Sequence, residues 1–257
     1  MRSTLLAILI AVAMPCMALN PKAAPAKHPV PAYITAAVND PARADDKVDD
    51  ARRQMIAVMK FSEVKPGQKV LELVPGKGYW TRVFSGIVGS KGHVYTVWPD
   101  QMMKYATKSY PEWQALVATP HYANVSLLQQ PGAQLSVPEP VDVVFTCQNY
   151  HDYHDPFMGP VDMLAFDKQV FGALKPGGLF VVIDHVAPAG SGISDTNTLH
   201  RIDPAVVKKE VEAAGFVFDG ESNALRNPAD PHTIAVFDKS IRGHTDQFIY
   251  RFRKPKK

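Results

Sequence analysis

The segment Val70-Leu71-Glu72-Leu73-Val74-Pro75-Gly76-Lys77-Gly78-Tyr79 decides how the rest of the chain is read. A short apolar run carries one carboxylate and ends at proline and two glycines. Helical spacing then resumes over residues 79–87. A buried strand that turns through glycines into a helix lets backbone approach a ligand, and the next helix offers free N–H groups there.

Working outward, the same alternation repeats. Upstream, residues 46–61 have helical spacing with acids crowding the start, and Lys65-Pro66-Gly67-Gln68 is a turn. Downstream, strands are expected at 93–97, 125–128, 141–146 and 179–184, with helices at 101–117 and 161–174. Asp203 caps a helix with Pro204 at its first position, reaching about residue 214. Residues 216–218 and 248–252 read as closing strands. Alternation of this kind predicts an α/β fold, a mostly parallel sheet with helices on both faces.

Composition bounds the function. The 257 residues are 46% hydrophobic, enough apolar surface to exclude a disordered chain. Twenty-eight Lys and Arg stand against 25 Asp and Glu, a balance that gives no argument for nucleic-acid binding and favours a small-molecule substrate. Two cysteines exclude a disulfide framework and a four-thiolate zinc site. Residues 1–18, with Arg2 ahead of the apolar run 5–13, are expected to be a cleaved signal peptide. That leaves no stable membrane span and places the mature chain in the periplasm or outside the cell. Its one cysteine is then Cys147, read as a buried thiol. Residues 19–45, rich in Pro and Ala, read as an extended lead-in, and 46–257 as the domain proper.

In such a sheet ligands bind at the carboxyl ends of the strands, where strand order reverses. Three strand ends carry chemistry. The first holds Glu72 and the 75–79 loop. The second opens from Thr146-Cys147-Gln148 into seven polar or aromatic residues, Asn149-Tyr150-His151-Asp152-Tyr153-His154-Asp155. The third ends at Asp184-His185, where a carboxylate can orient an imidazole. His200 and Arg201 stand ahead of a helix and in reach of the same cleft.

These pieces resemble the class I S-adenosylmethionine-dependent methyltransferases, and more narrowly a group of predicted methyltransferases exported by proteobacteria. The resemblance rests on VLELVPGKGYW, VDVVFTCQNYHD, LKPGGLFVVIDH and LHRID, between residues 46 and 253. It implies a Rossmann-like, doubly wound, seven-stranded sheet with an antiparallel last strand, and S-adenosylmethionine as cofactor. By position it implies that Glu72, Pro75, Gly76, Gly78 and Tyr79 form the methionine-contacting loop. Asn149 and Tyr150 would flank the donor, and His151 would be the base, with Asp184 and His185 in reserve. Two departures stand out: Val74 replaces a glycine of the general motif, and Trp98 takes the place of the acid that holds the ribose hydroxyls. Asp100 or stacking by Trp98 is expected to compensate.

The activity expected is methyl transfer to an oxygen or nitrogen of a small molecule or envelope component. The alternatives are a periplasmic binding protein that keeps the fold without the chemistry, and a metal-dependent hydrolase built on His151 and His154. No complete set of metal ligands is legible, so none is assigned.

Overall fold

The computed structural model describes residues 29–256. The expected signal peptide and the first part of the lead-in lie outside the described residues.

Seven strands run in chain order as β1 (Lys69–Leu73), β2 (His93–Pro99), β3 (Val125–Gln130), β4 (Val141–Cys147), β5 (Leu174–His185), β6 (Val217–Ser222) and β7 (Gln247–Arg253). They form one sheet in the order β3-β2-β1-β4-β5-β7-β6. β1 to β5 pair in parallel, while β7 lies antiparallel between β5 and β6. The order reverses between β1 and β4, where Leu73 pairs with Thr146, so the crevice expected of a doubly wound sheet opens there.

The strands are buried on both faces, and side chains alternate between two cores. Val70, Val94, Phe145, Val181 and Ile183 face one layer. It is built by α1 (Ala32–Val38), α2 (Met55–Ser62), α3 (Tyr79–Val88) and α4 (Ser109–Val117). Leu71, Val144, Phe180 and Val182 face the other, with Phe166 and Val170 of α5 (Met163–Ala173). The short α6 (Thr196–Leu199) precedes α7 (Pro204–Ala213), which adds Val207 and Val211 to that second core. The Asp203 side chain accepts from the Ala205 N–H with Pro204 at the first position, as its sequence predicts.

Two expectations are corrected near the start. Residues 32–38 are helical rather than extended, because Ile34 and Ala37 bury against α3; a Cβ on Gly86 would lie 2.9 Å from Ala37 Cβ. Residues 46–61 are not one helix: a 3-10 segment spans Pro41–Asp49, and Gln54 takes a left-handed φ of 49° before α2 starts. Tertiary ion pairs hold that break open. Arg43 grips Asp50 at 2.7 Å, Arg82 reaches Asp46 at 3.2 Å, and the Tyr79 hydroxyl donates to Asp50 at 2.7 Å.

Between β6 and β7 residues 223–246 leave the sheet. Buried Arg201 holds this excursion by a two-pronged pair with Asp230, at 2.9 and 3.0 Å. Arg226 and His232 both bond Asp246, and the Val236 N–H donates to the Leu199 carbonyl.

Candidate active site

Two cavities meet at the switch point and share Gln148 and Asn149. The smaller, about 270 Å³, is lined by Glu72, Val74, Pro75, Gly76, Tyr79 and Cys147, among others. The larger, about 600 Å³, has Trp98, Met102 and Ala106 on one side and His151, Asp152, Asp155, His185 and His200 on the other. Tyr105, Phe157 and Phe237 also line it.

The β1 loop has the backbone that its sequence demands. Val74, Gly76 and Gly78 all have positive φ, at 50°, 56° and 77°. A β-branched residue in that region is an outlier that the surroundings must hold, and Val74 donates its N–H to the Val97 carbonyl at 2.8 Å. The two glycines differ in kind. A Cβ on Gly76 would meet nothing within 4 Å, so space is open beside its backbone. A Cβ on Gly78 would fall 2.0 Å from a Trp113 ring carbon, so packing excludes any side chain there. Glu72 is buried and accepts from the Thr81 hydroxyl. Burial pushes its carboxyl up to about 8 despite Thr81 and Arg82.

Trp98 is buried with its ring edge-on to Tyr110, at 5.7 Å between centroids. Its Nε1 is buried with no hydrogen-bond partner. Asp100 does not line the cavity; it accepts from Gln129 at 2.8 Å. The ribose acid is therefore not replaced from two residues further on, and the aromatic face of Trp98 is what the structure offers.

After β4, a 3-10 turn over His151–His154 sends successive residues to opposite sides. His151 faces the large cavity and is 3% exposed. Its Nδ1 donates to Asp184 Oδ1 at 2.9 Å, and its backbone N–H donates to Oδ2 at 2.9 Å. Its Nε2 lies 3.3 Å from Asp152 Oδ1 and 3.3 Å from His200 Nδ1. Burial alone depresses this imidazole, but Asp184, Asp152 and Asp155 outweigh that and raise it to about 9. Burial lowers His185 to about 4, and its Nδ1 lies 2.7 Å from the Thr245 hydroxyl.

Tyr150, expected beside the donor, lies on the opposite side. Its hydroxyl is 2.8 Å from Asp167 and 3.1 Å from Glu210, and its ring sits in the second core. His154 likewise turns to Glu210, at 3.2 Å, so the expected pairing of His151 with His154 on a metal does not form. Arg201 does not reach the cleft, being consumed by Asp230. Asp184 is fully buried and lines neither cavity; its carboxylate accepts from the His151 ring. Cys147 is half-buried against the smaller cavity, and burial pushes its thiol up to about 12.

Sequence reasoning missed Arg53, Tyr105, Phe157 and Phe237. Arg53 lines the smaller cavity and the other three the larger; Phe157 lies just past the flagged 149–155 run, and Phe237 belongs to the 223–246 excursion.

The model of the ubiE/COQ5 methyltransferase family matches residues 48–201, more than half of the chain and all of the β1 to β5 site. The chain belongs to the ubiE/COQ5 methyltransferase family. S-adenosylmethionine, the cofactor expected from the sequence resemblance, is the methyl donor of this class of enzymes.

Relatives within reach are distant. The ubiquinone/menaquinone biosynthesis C-methyltransferase UbiE of Vibrio vulnificus strain YJ016 is 28% identical over 189 residues, 72% of this chain and 62% of its own length. A protein-L-isoaspartate O-methyltransferase of Methanosarcina mazei is 30% identical over 146 residues, 53% of this chain and 47% of that one. The chain thus spans less than two thirds of these curated relatives. Among solved structures, a SAM-dependent methyltransferase from Aquifex aeolicus superposes with a TM-score of 0.53 at 19% identity, over 86% of this chain and 96% of that one. The [4+2]-cyclase SpnF superposes at 0.56 and 17% identity, over 84% and 82%. Both likenesses concern the fold.

Proposed function

We propose that this family member transfers a methyl group from S-adenosylmethionine to an oxygen or nitrogen of a small acceptor bound in the larger cavity. The observation that carries this is the meeting of two cavities at Gln148 and Asn149, with an oriented His–Asp pair on the acceptor side. S-adenosylmethionine, when bound, supplies an electrophilic methyl group on a positively charged sulfur.

The donor set fits it. The open space beside Gly76, with Glu72 and Asn149, suits the polar amino-acid end. The Trp98 face and Met102 suit a purine, and the partnerless Trp98 Nε1 is a donor in want of an acceptor. His151 lines the acceptor side with Nε2 free of the bond to Asp184; in its neutral form, populated as pH rises toward about 9, it is placed to draw a proton from a hydroxyl or amine. Asp184 sets which nitrogen faces the acceptor. Tyr105, Phe157 and Phe237 give the acceptor an apolar wall. We place the mature protein outside the cytoplasm, on the strength of the apolar run at residues 5–13.

Calorimetric titration of the purified mature chain with S-adenosylmethionine tests the reading. Heat with one equivalent, and matching protection from thermal unfolding, is expected. Neither effect at millimolar donor would overturn it.

One observation favours a second reading, a binding protein on this fold: no acid at the end of β2 faces the cavity, since Asp100 bonds Gln129. Mass spectrometry of the ligand kept through native purification separates the two. The donor or its demethylated product supports transfer; an unrelated compound supports binding alone.

A further inference from the structure

We propose that His151, Asp152 and His200 hold a divalent transition-metal ion at the polar end of the larger cavity. Their ligand atoms all lie within 4.8 Å of one another, and the two printed separations from His151 Nε2 are both 3.3 Å. Metal–nitrogen and metal–oxygen bonds of about 2.0–2.1 Å in a tetrahedral site put neighbouring ligand atoms roughly 3.3 Å apart. The two separations from His151 Nε2 thus already match edges of such a polyhedron.

Three further features point to a cation. Asp184 accepts from Nδ1 of His151, which turns Nε2 toward a carboxylate and a second imidazole nitrogen. A divalent ion bound there takes the place of the proton through which Nε2 otherwise pairs with Asp152 or His200. The Asp184–His151 pair is also the arrangement that orients histidine ligands and strengthens their bonds to metal. Finally, Asp155 lines the same cavity, is 1% exposed, and neither of its carboxylate oxygens has a partner. A buried, unpaired carboxylate beside the cluster supplies charge that a divalent ion would balance.

Two imidazoles and one carboxylate form a donor set for zinc, iron(II) or cobalt(II) rather than for magnesium or calcium, which prefer oxygen. Three protein ligands leave a fourth position, and it faces the cavity. This rests on the proposed reading for where the acceptor sits, and the ion, once bound, takes over from His151 the deprotonation of the acceptor. With the ion bound, His151 is a ligand, and the ion's charge favours the deprotonated form of an acceptor hydroxyl bound in that fourth position. The proton leaves to solvent, and no electron changes hands.

Untagged full-length protein, stripped with chelator and dialysed, is titrated with cobalt(II) and zinc(II). One equivalent of cobalt is expected to give the visible absorption of a low-coordinate nitrogen–oxygen site, displaced by zinc. His200→Ala and Asp152→Asn should each weaken zinc affinity at least about 10-fold. His154→Ala, whose ring turns to Glu210, should leave it unchanged. Equal affinity in all three variants, or no saturable binding by a folded wild-type chain, overturns the proposal; two substitutions guard against one failing to fold. Parallel titration of the stripped chain with S-adenosylmethionine keeps the two readings apart. Donor binding without zinc binding removes the metal site alone. Zinc binding without donor binding retains the metal site and removes the transfer.

Discussion

Asp184 accepts both the ring Nδ1–H and the backbone N–H of His151, each at 2.9 Å, across 33 residues of sequence. One carboxylate thereby fixes the ring's rotation and the turn that carries it. Asp184→Asn keeps the shape but cannot accept at both oxygens, and breaking a buried charged pair costs about 3–5 kcal/mol. We expect a clear fall in thermal midpoint together with lost turnover. His151→Ala should instead lower kcat by about 10²–10⁴ while donor Kd stays near wild type. Calorimetry beside a radiolabelled methyl-transfer assay reads both.

Glu72 gives a pH signature. Its folded carboxyl stands near 8 against an ordinary 4.5. Between those values the folded chain binds a proton that the unfolded chain has released, so stability falls as pH rises through the window and levels off above about 8. Glu72→Gln removes this slope. Urea unfolding at pH 5 and pH 9 should show the variant gaining on wild type by about 4 kcal/mol, while its donor affinity falls.

Gly76 and Gly78 should separate ligand from fold. Gly78→Ala drives a methyl into Trp113 at a positive φ and should cost about 2–4 kcal/mol. Gly76→Ala meets no protein atom and should cost about 1 kcal/mol, yet weaken the donor by blocking the space beside the backbone. Gly78→Ala with the smaller loss of stability would reverse this assignment.

Trp98→Phe tests the aromatic platform. Trp98 packs on Tyr110 in the core, so the phenyl ring preserves burial, but it removes the partnerless N–H and part of the face. Loss of about 1.4 kcal/mol of stacking corresponds to roughly a tenfold rise in donor Kd. An unchanged Kd would place the purine elsewhere.

Arg201→Lys removes the fork that meets Asp230 at two oxygens in a fully buried pair. A lysine cannot reproduce that geometry. Destabilisation of about 2–4 kcal/mol is expected, together with faster proteolysis within residues 223–246.

The sheet was legible in the sequence because parallel strands buried on both faces read as unbroken apolar runs. β1, β2 and β4 start within a residue of expectation, and the antiparallel β7 follows from the resemblance. What failed depended on distant partners. The break before α2 is held by Arg43, Arg82 and Tyr79, whose contacts with Asp46 and Asp50 leave no local pattern. The turn after β4 has neither helical nor strand periodicity, so nothing local told that Tyr150 and His154 would face Glu210 while His151 faced the cavity. His200 was flagged for the cleft, but its meeting with His151, 49 residues away, exists only in the fold.

The excursion at 223–246 carries Val236 and Phe237 over the larger cavity, yet hangs from two antiparallel strands at the far side of the sheet. Its anchors are Asp230, held by Arg201, and Asp246, held by Arg226. On the proposed reading, the excursion adds to the acceptor wall from a stretch of chain separate from the β1 loop. On that reading, a change in the length or lining of this one excursion would alter the acceptor while the β1 loop stays under its own, independent selection.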